Sequence, residues 1–297
     1  MKVGMVGLGE MGGGFVDRLL LAKIDVMGWN RTKSKADGLI AAGMTWGDSP
    51  RAVTEASDVV LTMVTNDKAL NAVCEGPDGI LAAIKGKTLV EMSTVGSFHV
   101  QELAEKTKAA GGTLLDGPVL GSQVSIQQGK LLIMVGGDKA ALENVRPALE
   151  AIGPKVFHVG EVGQAKTMKI ALNLQLSTQI LALSEGLLLA VKSGIPRDVA
   201  LDIMLSGAVA SPMLQYRAPL IKGQPEKAWF DCTMMQKDTK LALDLGEKLG
   251  VPLPTTSVAD SWLTTAKGQG LEKYDFSILY YVLANAAGYE LEIPKAP

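Results

Sequence analysis

Three observations predict an α/β N-terminal domain with a mostly parallel sheet, followed by an all-α C-terminal domain joined to it by a long helix. Short, near-continuous apolar runs alternate with stretches of helical periodicity up to about residue 160, the pattern of strands covered on both faces by crossover helices. After about residue 163 the strand-like runs stop and only helical periodicity follows. A glycine-rich hexamer joins the first strand to the first helix. The division these observations give is 1–162 and 163–297.

Residues 2–6 and 24–28 read as the first two strands. The segment 10–22 between them is helical, since Met11, Phe15, Leu19 and Leu20 recur at helical spacing. Strands follow at 58–64, 88–92, 131–135 and 156–159, with a further strand-like run at 113–115. Helical stretches near 67–75, 98–110 and 138–151 separate them. Gly160-Glu161-Val162-Gly163 is the joint, and residues 166–192 form one long helix that Gly194 and Pro196 end. Further helices are predicted at 197–206, 232–250, 256–267 and 275–287.

Composition narrows the function. With 297 residues, 47% hydrophobic, 20% charged and a net charge of −2, the chain has neither the imbalance of a disordered protein nor the basic excess of one that grips nucleic acid. Two cysteines are too few for a disulfide framework or a four-ligand zinc site, so no metal is expected. Of the two histidines, His99 and His158, neither stands beside a nucleophile motif, which weakens any hydrolase reading. No run of about 18 uncharged apolar residues occurs, and the apolar start is interrupted by Glu10, so neither a membrane span nor a leader is expected. A cytoplasmic location follows as the expectation.

The hexamer Gly7-Leu8-Gly9-Glu10-Met11-Gly12 has G-x-G-x-x-G spacing, follows a predicted strand and opens a predicted helix. The first glycine makes the tight turn, the second admits a pyrophosphate, and the third permits close helix–strand packing with the anion on the helix N-terminus. A glycine-rich turn of another α/β protein is the alternative, but the complete βαβ frame favours a Rossmann-type dinucleotide site. At the end of the second strand, an NAD site places Asp or Glu against the ribose hydroxyls. Here Asn30-Arg31-Thr32-Lys33-Ser34-Lys35 stands instead. Arg31, Thr32 and Lys35 supply donors for a 2′-phosphate, so NADP(H) is expected over NAD(H).

Three segments offer chemistry. Asp116-Gly117-Pro118-Val119-Leu120-Gly121-Ser122 is a Gly/Pro-rich turn whose backbone N–H groups and Ser122 hydroxyl suit a carboxylate, with a plain connecting loop as the alternative. The stretch from Gly163 to Asn173 puts Lys169 and Asn173 four apart on one helix face. Without a plausible catalytic histidine, Lys169 is the best general acid for the oxygen of a carbonyl undergoing hydride addition, and Asn173 is placed to orient that oxygen. In Phe230-Asp231-Cys232-Thr233-Met234-Met235-Gln236-Lys237-Asp238, Asp238 is either a partner for Lys169 or an ordinary helix-start carboxylate.

In order and spacing these segments, with Val3 to Gly9 and Glu91-Met92-Ser93-Thr94-Val95, resemble the 3-hydroxyacid dehydrogenase family over nearly the whole chain. That family includes 3-hydroxyisobutyrate dehydrogenase, tartronate semialdehyde reductase and the glyoxylate/succinic semialdehyde reductases. The look is nearest to the last branch, through Trp29-Asn30-Arg31-Thr32, Met168-Lys169 and Gln236-Lys237-Asp238. The resemblance implies Lys169 as acid/base and Asn173 as its substrate-binding neighbour. It implies Thr94 and Lys237 as cofactor contacts, Met63 and Val64 as a strand edge against the cofactor, and Phe230 and Asp238 at the substrate. It also implies a homodimer or homotetramer.

One departure stands out. Leu120 occupies the place of a family serine, so backbone amides of Leu120, Gly121 and Ser122 would carry more of the substrate carboxylate, or the substrate is less polar. The expected activity is NADPH-dependent reduction of small aldehyde acids such as glyoxylate or succinic semialdehyde. Imine reductases resemble the chain in plan but usually carry Asp or Tyr at the place of Lys169. A non-catalytic NADP-binding module is the reading from another class, and the set Lys169, Asn173 and Asp238 argues against it.

Overall fold

The computed structural model describes residues 1–292. They form two compact units, Met1–Lys169 and the described residues from Ile170 onward, which meet within the long helix. The cause is burial: Ala165 and Lys166, in the first turn of that helix, are almost wholly covered.

The first unit contains the strands β1 (Lys2–Val6), β2 (Asp25–Trp29), β3 (Thr45–Trp46), β4 (Val59–Thr62), β5 (Thr88–Glu91), β6 (Thr113–Asp116), β7 (Val119–Leu120), β8 (Leu132–Gly136) and β9 (Lys155–Gly160). Its helices are α1 (Glu10–Leu21), α2 (Asp37–Ala41), α3 (Pro50–Glu55), α4 (Asp67–Cys74), α5 (Ser97–Ala109), α6 (Gln123–Gln127) and α7 (Lys139–Ile152). The sheet runs β3-β2-β1-β4-β5-β6-β8-β7, with β9 beside β8. From β3 to β6 every pairing is parallel, which gives the doubly wound order 3-2-1-4-5-6; β8 runs antiparallel to β6 and β7. The strands read as continuous apolar runs because helices cover both faces: Phe15, Val16 and Leu19 of α1 lie in one core, and Val100 and Leu103 of α5 in another.

The sequence reading missed β3, β7, α2, α3 and α6, each of two to six residues. Elements that short hold too few side chains to display a period. One of them, α3, is tied to the start of β5. Lys87, just before β5, donates from Nζ to the Thr54, Glu55 and Ser57 carbonyls at 2.6, 2.9 and 2.7 Å, where α3 ends. Lys87→Met is therefore expected to cost about 1–3 kcal/mol, read as a lower urea midpoint at unchanged slope.

α8 (Gln164–Lys192) opens the second unit, followed by α9 (Arg197–Ser206), α10 (Pro212–Arg217), α11 (Cys232–Leu249), α12 (Pro254–Gly268) and α13 (Leu279–Ala286). Strands stop here, as the sequence predicts; α10 is the missed element. Ile180, Leu183 and Leu187 of α8 pack in this unit's core with Ala259, Leu263, Phe276 and Tyr280. By length and composition alone, α8 is the one helix among the described residues able to cross a membrane, and 39% of its most apolar stretch is buried within the protein.

Cys74 and Cys232 are free and buried, and burial pushes both thiols well above the ordinary cysteine range. Neither is expected to react with a disulfide reagent at pH 8 until the chain is unfolded, when both should titrate; prompt labelling of either in the native protein would contradict this burial.

Candidate active site

The first part of the site is the turn from β1 into α1. Gly7 has φ +99°, its N–H donates to the Trp29 carbonyl at 2.9 Å, and a Cβ on it would run into the Met63 carbonyl. A Cβ on Gly12 would run into the Gly7 carbonyl. These two glycines are required by packing. Gly9 is not, because a Cβ there meets nothing within 4 Å. Gly9 thus leaves open space over the N-terminus of α1, a 12-residue helix with no side-chain cap on its first-turn N–H groups. Room plus uncapped donors at a helix N-terminus fit a pyrophosphate, so the hexamer suits the dinucleotide it predicts.

Within the hexamer the roles divide. Leu8 turns its side chain into the core and gives its N–H to Asn30 Oδ1 at 3.0 Å, while Glu10 is exposed and Met11 half-buried. Asn30 was expected against the cofactor. Its side chain ties the glycine turn to the end of β2, with Nδ2 donating to the Thr32 carbonyl at 2.9 Å. Arg31, Thr32 and Lys35 are exposed on the turn after β2, and Lys33 lies 5.4 Å from the Trp46 ring. The sheet brings Met63 and Val64, just past β4, beside this turn. The Val64 N–H donates to Ser93 Oγ at 2.8 Å, which places Thr94 next along the chain.

The loop expected to receive the substrate carboxylate is partly committed to structure. Leu120, 39% exposed, pairs with Leu132 in the β7–β8 ladder. Gly121 adopts φ +138°, and Ser122 caps α6, its N–H donating to Ser125 Oγ at 3.1 Å. The Ser122 amide is therefore spent within the loop, a correction to the expectation that it compensates for Leu120. The Ser122 hydroxyl is exposed.

α8 begins with two lysines that hold different positions. Lys166 is 1% exposed, and its ammonium donates to the Glu91 and Ser93 carbonyls at 2.7 and 2.8 Å and pairs with Glu91 Oε2 at 2.5 Å. Two hydrogen bonds and an ion pair, all to protein groups, hold this buried ammonium. Lys169, less than one turn further, is half-buried.

In the second unit, Asn173 is 4% exposed, and its Nδ2 donates to Asp238 Oδ2 at 2.5 Å. Asp238, 2% exposed, also pairs with Lys237 Nζ at 2.7 Å. It is not a helix-start carboxylate. α11 starts six residues earlier, where Asp231 Oδ1 accepts from the Met234 N–H at 2.7 Å. The carboxylate fixes which way the Asn173 amide faces. Phe230 packs edge-on to Phe276 with centroids 6.0 Å apart, and its N–H donates to Asp275 Oδ2 at 3.1 Å. Arg217 pairs with the same carboxylate oxygen at 2.5 Å and stacks on the Phe276 ring. Among the described residues no cluster of three or more His, Cys, Asp or Glu is arranged to hold a metal.

Comparison with known proteins agrees over both units. The profile of the NAD binding domain of 6-phosphogluconate dehydrogenase matches residues 2–160, and that of the NAD-binding domain of NADP-dependent 3-hydroxyisobutyrate dehydrogenase matches residues 163–283. Glyoxylate/succinic semialdehyde reductase 1 of Arabidopsis thaliana is 35% identical over 93% of this chain and 96% of its own. The chloroplastic reductase 2 of the same plant is 31% identical over 98% of this chain and 81% of its own. Among solved structures, a 3-hydroxyisobutyrate dehydrogenase from Salmonella typhimurium superposes with a TM-score of 0.85 at 29% identity, covering 95% of this chain and 99% of that one.

Proposed function

Since the chain belongs to the 3-hydroxyacid dehydrogenase family and is a nicotinamide-dependent oxidoreductase of that type, we propose that it reduces small aldehyde acids such as glyoxylate or succinic semialdehyde with NADPH. The observation that carries the reading is the placement on one helix of half-buried Lys169 and, one turn on, Asn173 with its amide held by Asp238. The bound nicotinamide supplies a hydride to the carbonyl carbon. Lys169, as an ammonium, delivers a proton to the carbonyl oxygen, and Asn173 orients that oxygen by hydrogen bonding. In the opposite direction the same lysine, neutral, takes the hydroxyl proton.

The absence of a carboxylate from residues 30–35 and the exposed Arg31, Thr32 and Lys35 support a 2′-phosphate over a bare ribose. Thr94, Met63 and Val64 would line the nicotinamide side. Lys237 serves the cofactor on this reading while holding Asp238. Exposed Leu189, Ile203 and Val209 in the second unit support a homodimer or homotetramer, and two free buried thiols suit the cytoplasm. Incubation with NADPH and glyoxylate should yield glycolate in step with NADP formation, followed by proton NMR; consumption of NADPH without glycolate would refute the substrate class.

A further inference from the structure

Lys166 takes no proton to substrate, yet it sits where the proposed reaction needs precision. Its backbone N–H donates to Asp116 Oδ2 at 2.9 Å, at the end of β6. Its ammonium bridges two carbonyls on either side of Met92, at the end of β5. Glu91 Oε1 in turn accepts the Ser93 N–H at 2.8 Å, and Ser93 Oγ accepts the Val64 N–H at 2.8 Å, at the end of β4. Through its ammonium, its backbone N–H and Ser93, Lys166 therefore joins three adjacent strand ends to the first turn of α8. These are the carboxyl ends of parallel strands, where an open α/β sheet binds its ligand. The bonded backbone leads directly into Thr94 and Val64, and Lys169 lies three residues along the same helix.

A lysine and a glutamate this deeply buried are costly unless fully paired, and a merely space-filling role would be served as well by apolar side chains. We infer that Lys166, through Glu91 and Ser93, is a positioning residue that sets Val64 and Thr94 against the nicotinamide cofactor and holds Lys169 in register with them. The inference rests on the proposed function for what those groups touch.

The test is the double variant Lys166→Met with Glu91→Leu, which removes both charges and leaves neither stranded. Circular dichroism and melting temperature report folding, fluorescence titration reports NADPH affinity without any substrate, and glyoxylate turnover reports catalysis. At an unchanged melting temperature, the NADPH Kd should rise about tenfold. At the same time kcat should fall about 100-fold with little change in glyoxylate KM. Kd and kcat both within about twofold of wild type would overturn the inference. Should the double variant fail to fold, Glu91→Gln keeps the shape and removes the charge. A rise of about fivefold in NADPH Kd is then expected, and no change would overturn it. A wild-type protein inactive on glyoxylate would refute the proposed substrate, while the NADPH titration would still decide the role of Lys166.

Discussion

Lys169→Ala is expected to lower kcat by about 10²–10⁴-fold while leaving NADPH affinity within a few-fold of wild type, the signature of a lost proton donor. Lys166 and His158 are held by other groups of the protein. Lys166 is buried against Glu91 and Ser93, and His158 Nε2 is 2.8 Å from the Gly137 carbonyl. His99 has its Nε2 buried in α5. Lys169→Arg should be nearly as damaging, because a guanidinium stays charged and surrenders a proton poorly. Steady-state kinetics with glyoxylate, paired with NADPH titration, checks both; turnover near wild type in the alanine variant would remove Lys169 from the chemistry.

Arg31→Ala should weaken NADPH by about 10–100-fold and NADH hardly at all. A guanidinium on a phosphate dianion makes charge-assisted bonds worth about 1.5–3 kcal/mol, and a ribose hydroxyl offers no comparable partner. Arg31 is exposed on the turn after β2, and Asn30 beside it is bound to Leu8 and Thr32, so the substitution leaves the glycine turn braced. Equal weakening of both cofactors would assign Arg31 to the adenine or to the fold instead of to the phosphate.

How much was legible follows from what each residue shows in isolation. Helices with a clear apolar stripe and strands of four or more apolar residues announce themselves, as α1, α7 and β4 do. The hexamer was legible because glycine spacing encodes backbone geometry directly; that only Gly9 of its glycines faces open space is set by the folded turn. Asn30 reads as a cofactor contact from its place at the end of β2, and its bond to Leu8, across 22 residues, shows only in the fold. The double duty of the carboxylate loop was hidden in a capping bond between Ser122 and Ser125. Lys166 entered the sequence reading only as the start of the long helix. The signal that exposes it is Glu91, a carboxylate closing an apolar strand that is buried on both faces, which demands a buried cation.

NADPH oxidation measured across glyoxylate, succinic semialdehyde, tartronate semialdehyde, simple aldehydes and a cyclic imine tests the central claim most directly. Turnover should be highest on glyoxylate or succinic semialdehyde, lower on aldehydes without a carboxylate, and lost in Lys169→Ala. A flat panel in a protein that still binds NADPH tightly would contradict the account and leave a dinucleotide-binding module without catalysis.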